Sequence, residues 1–246
     1  QDILKNNKNN YDIVIVSPFN QKLSKKINID SLQINLNLFQ KFVSFLRVNN
    51  FFFQKILNKY FIRNYFEDFM DKNKIDLIIF LNASQYIQYV EKMNFIVNIP
   101  DLAHRKNHEF PEMRKKSEFE IRERIYSTFL PKAFSVVTNS STIKRDLVKY
   151  YSLDDNRVSV INHQPSQQIQ DFIYDEKNKN EVKKKYNLPD NYIFFPAQYW
   201  IHKNHKYIID AIKLINDNTN INYHAVFCGS DKGNLDNLKN YSRNKK

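Results

Sequence analysis

The chain has 246 residues, and its 38 Lys and Arg against 26 Asp and Glu give a formal net charge of +12. Hydrophobic residues make up 42%, with 20 Phe and 15 Tyr, so a core can be buried and the composition argues against a disordered chain. A single cysteine, Cys228, excludes an intrachain disulfide, and having only two glycines, Gly229 and Gly233, excludes a P-loop and a GxGxxG fingerprint.

The lone cysteine fits a reducing, cytoplasmic compartment. No apolar run approaches the ~18–20 residues of a membrane span, and no charged-then-apolar leader follows Gln1, so the reading is a soluble piece of a longer protein. The basic balance suits nucleic acid, an anionic membrane surface or a phosphate-bearing substrate. It equally fits the general over-use of Lys, Asn and Ile that an AT-rich coding sequence produces.

Short apolar runs alternate along the chain with longer amphipathic ones, the pattern of an α/β fold with a mostly parallel sheet. Predicted strands cover residues 12–16, 76–81, 95–99, 134–138, 158–161, 192–196 and 223–228. Several are apolar at nearly every position, as strands covered on both faces would be. Phe53, Leu57, Tyr60, Phe61, Tyr65 and Phe69 fall near a 3.6-residue period, which reads as the buried face of a helix. A charged amphipathic helix is expected over 118–130, and Ser140 or Ser141 can cap a helix running to Tyr151. The polar stretch 163–180 reads as a linker, and a helix follows residue 206.

Three segments carry chemistry. Residues 99–112 follow a predicted buried strand, and so leave the carboxyl edge of a parallel sheet, where such folds bind ligands. They hold Asp101, His104, Arg105, His108, Glu109 and Glu112, which can supply hydrogen bonds and charge to a polar ligand. Asp101, His104 and His108 could also be metal ligands, but no further residue completes a metal spacing. Residues 194–206 again run from strand end to helix start, with Gln198, Trp200, His202, Lys203, Asn204 and His205. Helix-start N–H groups beside a lysine make a natural phosphate site. Residues 226–233 spend both glycines at one strand-to-loop transition, where a backbone can approach a ligand closely, or where a plain turn sits.

Together these segments resemble the family 4, or group 1, glycosyltransferases. The likeness runs from Asp76 onward and is strongest over 100–124 (PDLAHRKNHEFPEMRKKSEFEIRER), 133–161 and 192–212. It implies a GT-B-like α/β fold of two Rossmann-like domains whose parallel sheets face a cleft. Residues 1–165 would form the acceptor-side domain, 166–180 the linker, and 181–246 the start of the nucleotide-sugar-binding domain. The stretches 101–112 and 202–205 would face each other across the gap between the two lobes. The chain would be truncated at both ends, with the family's early Gly-rich loop and its paired glutamates both outside it.

The resemblance further implies a retaining transferase that moves a hexosyl group from a nucleotide-diphosphate sugar to a glycan or lipid-linked acceptor in polysaccharide or glycoconjugate biosynthesis. No metal or other cofactor is expected, and the departing phosphate helps deprotonate the acceptor hydroxyl. Asp101 and His104 match the catalytic, sugar-side positions; Arg105, His108 and Glu109 lie on the acceptor side. Gln198, His202, Lys203, Asn204, His205 and Gly229 match the donor site, with Lys203 neutralising the departing diphosphate. Two departures stand out, Gln198 in place of a frequent arginine and Pro100 in place of a frequent histidine; with the absent loop and glutamates, these imply a piece that binds donor weakly and turns over little or nothing. A non-catalytic nucleotide- or glycan-binding relative, and a basic nucleic-acid-binding protein, are the alternatives. Peripheral contact with an anionic membrane, at its inner face, is a further expectation from the charge.

Overall fold

The structure, a computed structural model, describes residues 12–17, 30–60, 62, 64–114, 117–171 and 176–245. Two compact units emerge: residues up to Pro100 together with Ile125–Val160, and Asp101–Arg124 together with the residues from Ile161 onward. Every strand pair among the described residues is parallel.

In the first unit, β1 (Val14–Ser17) pairs with β2 (Asp30–Gln33), with Val14 opposite Asp30. The strand β2 was not expected from sequence, because its four residues (DSLQ) lack an apolar run. A second sheet lines up β3 (Leu77–Phe80), β4 (Asn94–Asn98), β5 (Ser135–Thr138) and β6 (Val158–Val160) in chain order. Burial along β3 alternates, with Ile78 and Phe80 inside while Leu77 and Ile79 stay exposed. Double-sided cover, expected from the apolar runs, is therefore not what β3 has: one face packs and the other remains open.

The helices α1 (Leu38–Asn49), α2 (Phe51–Lys59) and α3 (Tyr65–Lys72) precede β3. The aromatic stripe expected as one buried helical face is split. The Asn64 side chain accepts from the N–H groups of Phe66 and Glu67 and starts a new helix, which resets the helical phase. Leu57, Phe66 and Met70 are buried, whereas Phe53 and Tyr60 point to solvent; Phe61 lies outside the described residues. Beneath these helices, the buried Arg47 and Glu91 form a two-pronged ion pair at 2.9 and 3.1 Å. Glu67 Oε1 accepts three backbone N–H groups, from Glu91, Lys92 and Met93, at 2.7–2.9 Å. Each buried charge has several partners, the condition under which burial of ions is tolerated.

After α4 (Glu118–Phe129) and β5, Ser140 caps α5 (Ser141–Tyr151) by accepting from the Ile143 N–H, as one of the two expected serines. In the second unit α6 (Glu176–Lys185) leads to β7 (Tyr192–Pro196), which pairs with β8 (His224–Cys228) across α7 (His205–Asn218); α8 (Leu235–Arg243) follows. Strand β7 matches its expected span residue for residue. No helix among the described residues is long and apolar enough to cross a membrane.

Candidate functional site

The first segment leaves β4 firmly anchored. Ile99 N–H donates to the Val137 carbonyl at 2.8 Å, and Thr138 Oγ1 donates to the Ile99 carbonyl at 2.9 Å. Two residues on, Asp101 Oδ1 accepts the Ala103 N–H at 2.9 Å in an Asx turn that leads into the single turn Ala103–Lys106. Arg122 from α4 donates to the same Asp101 oxygen at 3.2 Å. His104 in that turn is 0% exposed, with Nε2 2.8 Å from Glu123 Oε1. Arg105 grips both Glu123 oxygens, Nε at 2.7 Å from Oε1 and Nη2 against Oε2. A carboxylate paired in this way only accepts, so His104 carries its proton on Nε2. Burial lowers the His104 pKa, and its hydrogen bond to Glu123 only partly opposes this, which favours the neutral ring. His108 and Glu109 are exposed, with the His108 ring 5.0 Å from Phe119.

The second segment turns sharply after β7. Trp200 Nε1 donates to Gln198 Oε1 at 2.9 Å, its ring stacks on His202, and the Lys232 ammonium lies 5.5 Å from the indole centre. Residues Ile201–Lys203 form one tight turn, and Asn204, at φ 49°, opens α7 without a side-chain cap. Lys203 beside it is exposed and has no side-chain partner among the described residues. His205 is different. It is 1% exposed and boxed by Phe195, Tyr199 and Phe227 at ring distances of 5.0–5.1 Å. Among the described residues neither ring nitrogen meets a partner at hydrogen-bonding distance and angle. Burial pulls its pKa down, weakly opposed by the nearby Ala197 carbonyl.

The third segment crosses the second. A Cβ on Gly229 would stand 2.3 Å from the Ala197 carbonyl oxygen and 2.8 Å from Gln198 Cα. The Tyr199 N–H donates to the Ser230 carbonyl at 3.1 Å beside it. What approaches Gly229 closely is therefore the neighbouring loop's own backbone. Asp231 Oδ1 then accepts N–H groups from Gly233, Asn234 and Leu235 at the head of α8, which hold its pKa below the ordinary aspartate value.

The first and second segments meet at His202. Glu112 Oε1 accepts both the backbone N–H of His202, at 3.0 Å, and its ring Nδ1, at 2.7 Å. Sequence reasoning counted Glu112 as one of several charged loop residues and overlooked Glu123; a glutamate just after Phe110 and Pro111 was the one available signal. Among the described residues no three His, Cys, Asp or Glu side chains converge as a metal would require.

Residues 176–246 match the model of the family described as glycosyl transferases group 1. No curated protein matches the chain by sequence. Among solved structures, a glycosyltransferase from Rickettsia africae ESF-5 is 16% identical with a TM-score of 0.58, covering 94% of this chain and 55% of its own. Anabaena Alr3699/HepE in complex with UDP is 12% identical (TM-score 0.52, 82% of this chain, 60% of that one). The same protein with UDP-glucose is 11% identical (TM-score 0.53, 94% and 64%). The fold is thus GT-B-like, and the chain spans between 55% and 64% of the length of these structures.

Proposed function

We propose that the chain is part of a retaining glycosyltransferase that moves a sugar from a nucleotide-diphosphate donor to a glycan or lipid-linked acceptor. The observation that carries this reading is the junction of β7 and α7. A helix of 14 residues begins there without a side-chain cap, next to the exposed Lys203 and braced by the Gly229 crossing. Uncapped N–H groups and an ammonium suit the charge that gathers on a nucleoside diphosphate as it departs. The match of residues 176–246 to group 1 glycosyl transferases covers this junction. The departing phosphate then takes the proton of the acceptor hydroxyl, and no metal is required.

Asp101 belongs to the sugar side, where its exposed carboxylate can accept a hydroxyl hydrogen bond. His104, buried against Glu123, shapes the turn that carries Asp101. Arg105, His108 and Glu109 are assigned to the acceptor side, and Gln198, His202, Asn204 and the His205 backbone to the donor side. UDP and UDP-glucose, which the Anabaena structures contain, are the first ligands to test. A rise in melting temperature with a nucleoside diphosphate or nucleotide sugar is expected by mass action. Absence of any such rise across uridine, guanosine and adenosine series would sink this reading.

A cytoplasmic enzyme of polysaccharide synthesis, held at the inner face of an anionic membrane, is the setting we infer. Residues 31–66 contain no acidic residue, and Leu38, Phe39, Phe42 and Phe52 stand exposed on α1 and α2 with Lys55 and Lys59 nearby. Exposed aromatics with lysines and no carboxylates suit an anionic leaflet.

A further inference from the structure

Glu112 touches the turn that holds Lys203 yet has no place among the donor-binding residues. It stands in the turn Pro111–Met113, where the Met113 N–H donates to the Phe110 carbonyl at 3.0 Å. Two hydrogen bonds from one residue, the backbone N–H and Nδ1–H of His202, end on one of its oxygens. The Phe110 ring meets the imidazole edge-on at 5.9 Å, and Trp200 stacks on its face. The ring is therefore fixed from three sides.

Burial by itself would raise the Glu112 pKa, but the hydrogen bonds from His202 together bring it below the ordinary glutamate value. Ionised at neutral pH, the carboxylate can only accept, so Nδ1 of His202 must be the protonated nitrogen. The held residue is the centre of the turn. On one side the Lys203 N–H donates to the Trp200 carbonyl at 3.2 Å; on the other the Asn204 N–H donates to Ile201 at 3.0 Å. Asn204 then adopts the left-handed conformation, which asparagine accepts more readily than other non-glycine residues.

We propose that Glu112 is a positioning residue: by taking both N–H groups of His202 it sets the turn that presents Lys203 and the start of α7, and it fixes His202 with its proton on Nδ1. The purpose of the turn rests on the nucleotide-sugar reading; the tautomer and the geometry do not. The loop after β4 and the loop after β7 are thereby ordered together by a residue that need touch no donor atom.

Long-range proton–nitrogen spectra of histidine-labelled protein read the tautomer directly. His202 is expected as the Nδ1–H form in the wild type and in Glu112→Gln, whose amide oxygen still accepts, and as the Nε2–H form in Glu112→Ala. Wild-type protein with His202 protonated only on Nε2 overturns the inference. With UDP as probe, calorimetry should show Glu112→Ala binding about tenfold more weakly, the loss of a preorganised site, and Glu112→Gln within about twofold. Equal affinity in wild type and Glu112→Ala, or equal loss in both variants, overturns the positioning role. Should the wild type bind no nucleoside diphosphate at all, the nucleotide-sugar reading fails separately. The inference is then decided by the tautomer and by the Lys203 amide resonance, which Glu112→Ala should displace and Glu112→Gln should not.

Discussion

Gly229 and Ala197 lie so close that a single methyl group on Gly229 would stand 2.3 Å from the Ala197 carbonyl oxygen. The loops after β7 and β8 cross at this contact, and each is backbone, so neither can swing aside as a side chain would. Gly229→Ala should destabilise the second unit by about 2–3 kcal/mol through forced backbone movement. Urea unfolding reads this as a lower midpoint at unchanged slope. An unaltered midpoint would mean that the crossing is loose.

Lys203 supplies charge without supporting the fold, since its side chain is exposed and has no partner among the described residues. Lys203→Ala should leave the melting temperature near that of wild type and weaken UDP about tenfold, and the difference should shrink as salt is raised. Calorimetry at two ionic strengths checks both points. Undiminished UDP affinity would remove Lys203 from the diphosphate site.

Glu67 holds the chain reversal before β4 through three backbone N–H groups on one carboxylate oxygen. Truncation in Glu67→Ala strands these part-buried donors and should cost about 2 kcal/mol, whereas Glu67→Gln, still an acceptor, should cost less. Thermal unfolding of both variants gives the ranking, and an Ala variant as stable as wild type would contradict the assignment.

His205 and His104 both have folded-state pKa values held down by burial. The unfolded chain, with histidine near pKa ~6.5, binds protons that the folded chain refuses, so stability falls as pH drops below about 7 toward the folded pKa values. Replacing the buried ring in His205→Phe removes one of the two groups and should flatten part of that slope. Denaturation midpoints between pH 7 and pH 5 read the difference. A variant with the wild-type slope would show that His205 does not titrate on unfolding.

Membrane contact predicts a particular loss. Wild-type protein should sediment with vesicles containing anionic lipid and not with neutral ones. Replacing Phe39, Phe42 and Phe52 together by Ser should reduce that binding about tenfold or more, because each removes exposed apolar surface able to enter the interface. Equal sedimentation with neutral and anionic vesicles ends this proposal.

The order of strands and helices was legible in the sequence wherever a strand is an unbroken apolar run. Strand β7 and the Ser140 cap of α5 depend on neighbours only a few residues away, and local chemistry fixes them. The two-residue pattern of β2 is too polar to stand out, and its place comes from pairing with β1. Among the aromatic positions, one helix ends at Lys59 and Asn64 begins another, a capping event that the periodicity of Phe and Tyr does not register.

What the sequence determined by itself is the parallel α/β alternation and the grouping of basic, imidazole and glycine residues at strand ends, since both follow from local hydrophobic period and turn chemistry. The tertiary structure decided which of these side chains face outward. His205 carries the same residue type as His202 and sits three positions on, yet it is enclosed by three aromatic rings. Glu112 meets His202 across 90 positions of chain, and Gly229 meets Ala197 through backbone alone. Such contacts arise from the packing of distant segments, and no local spacing encodes them.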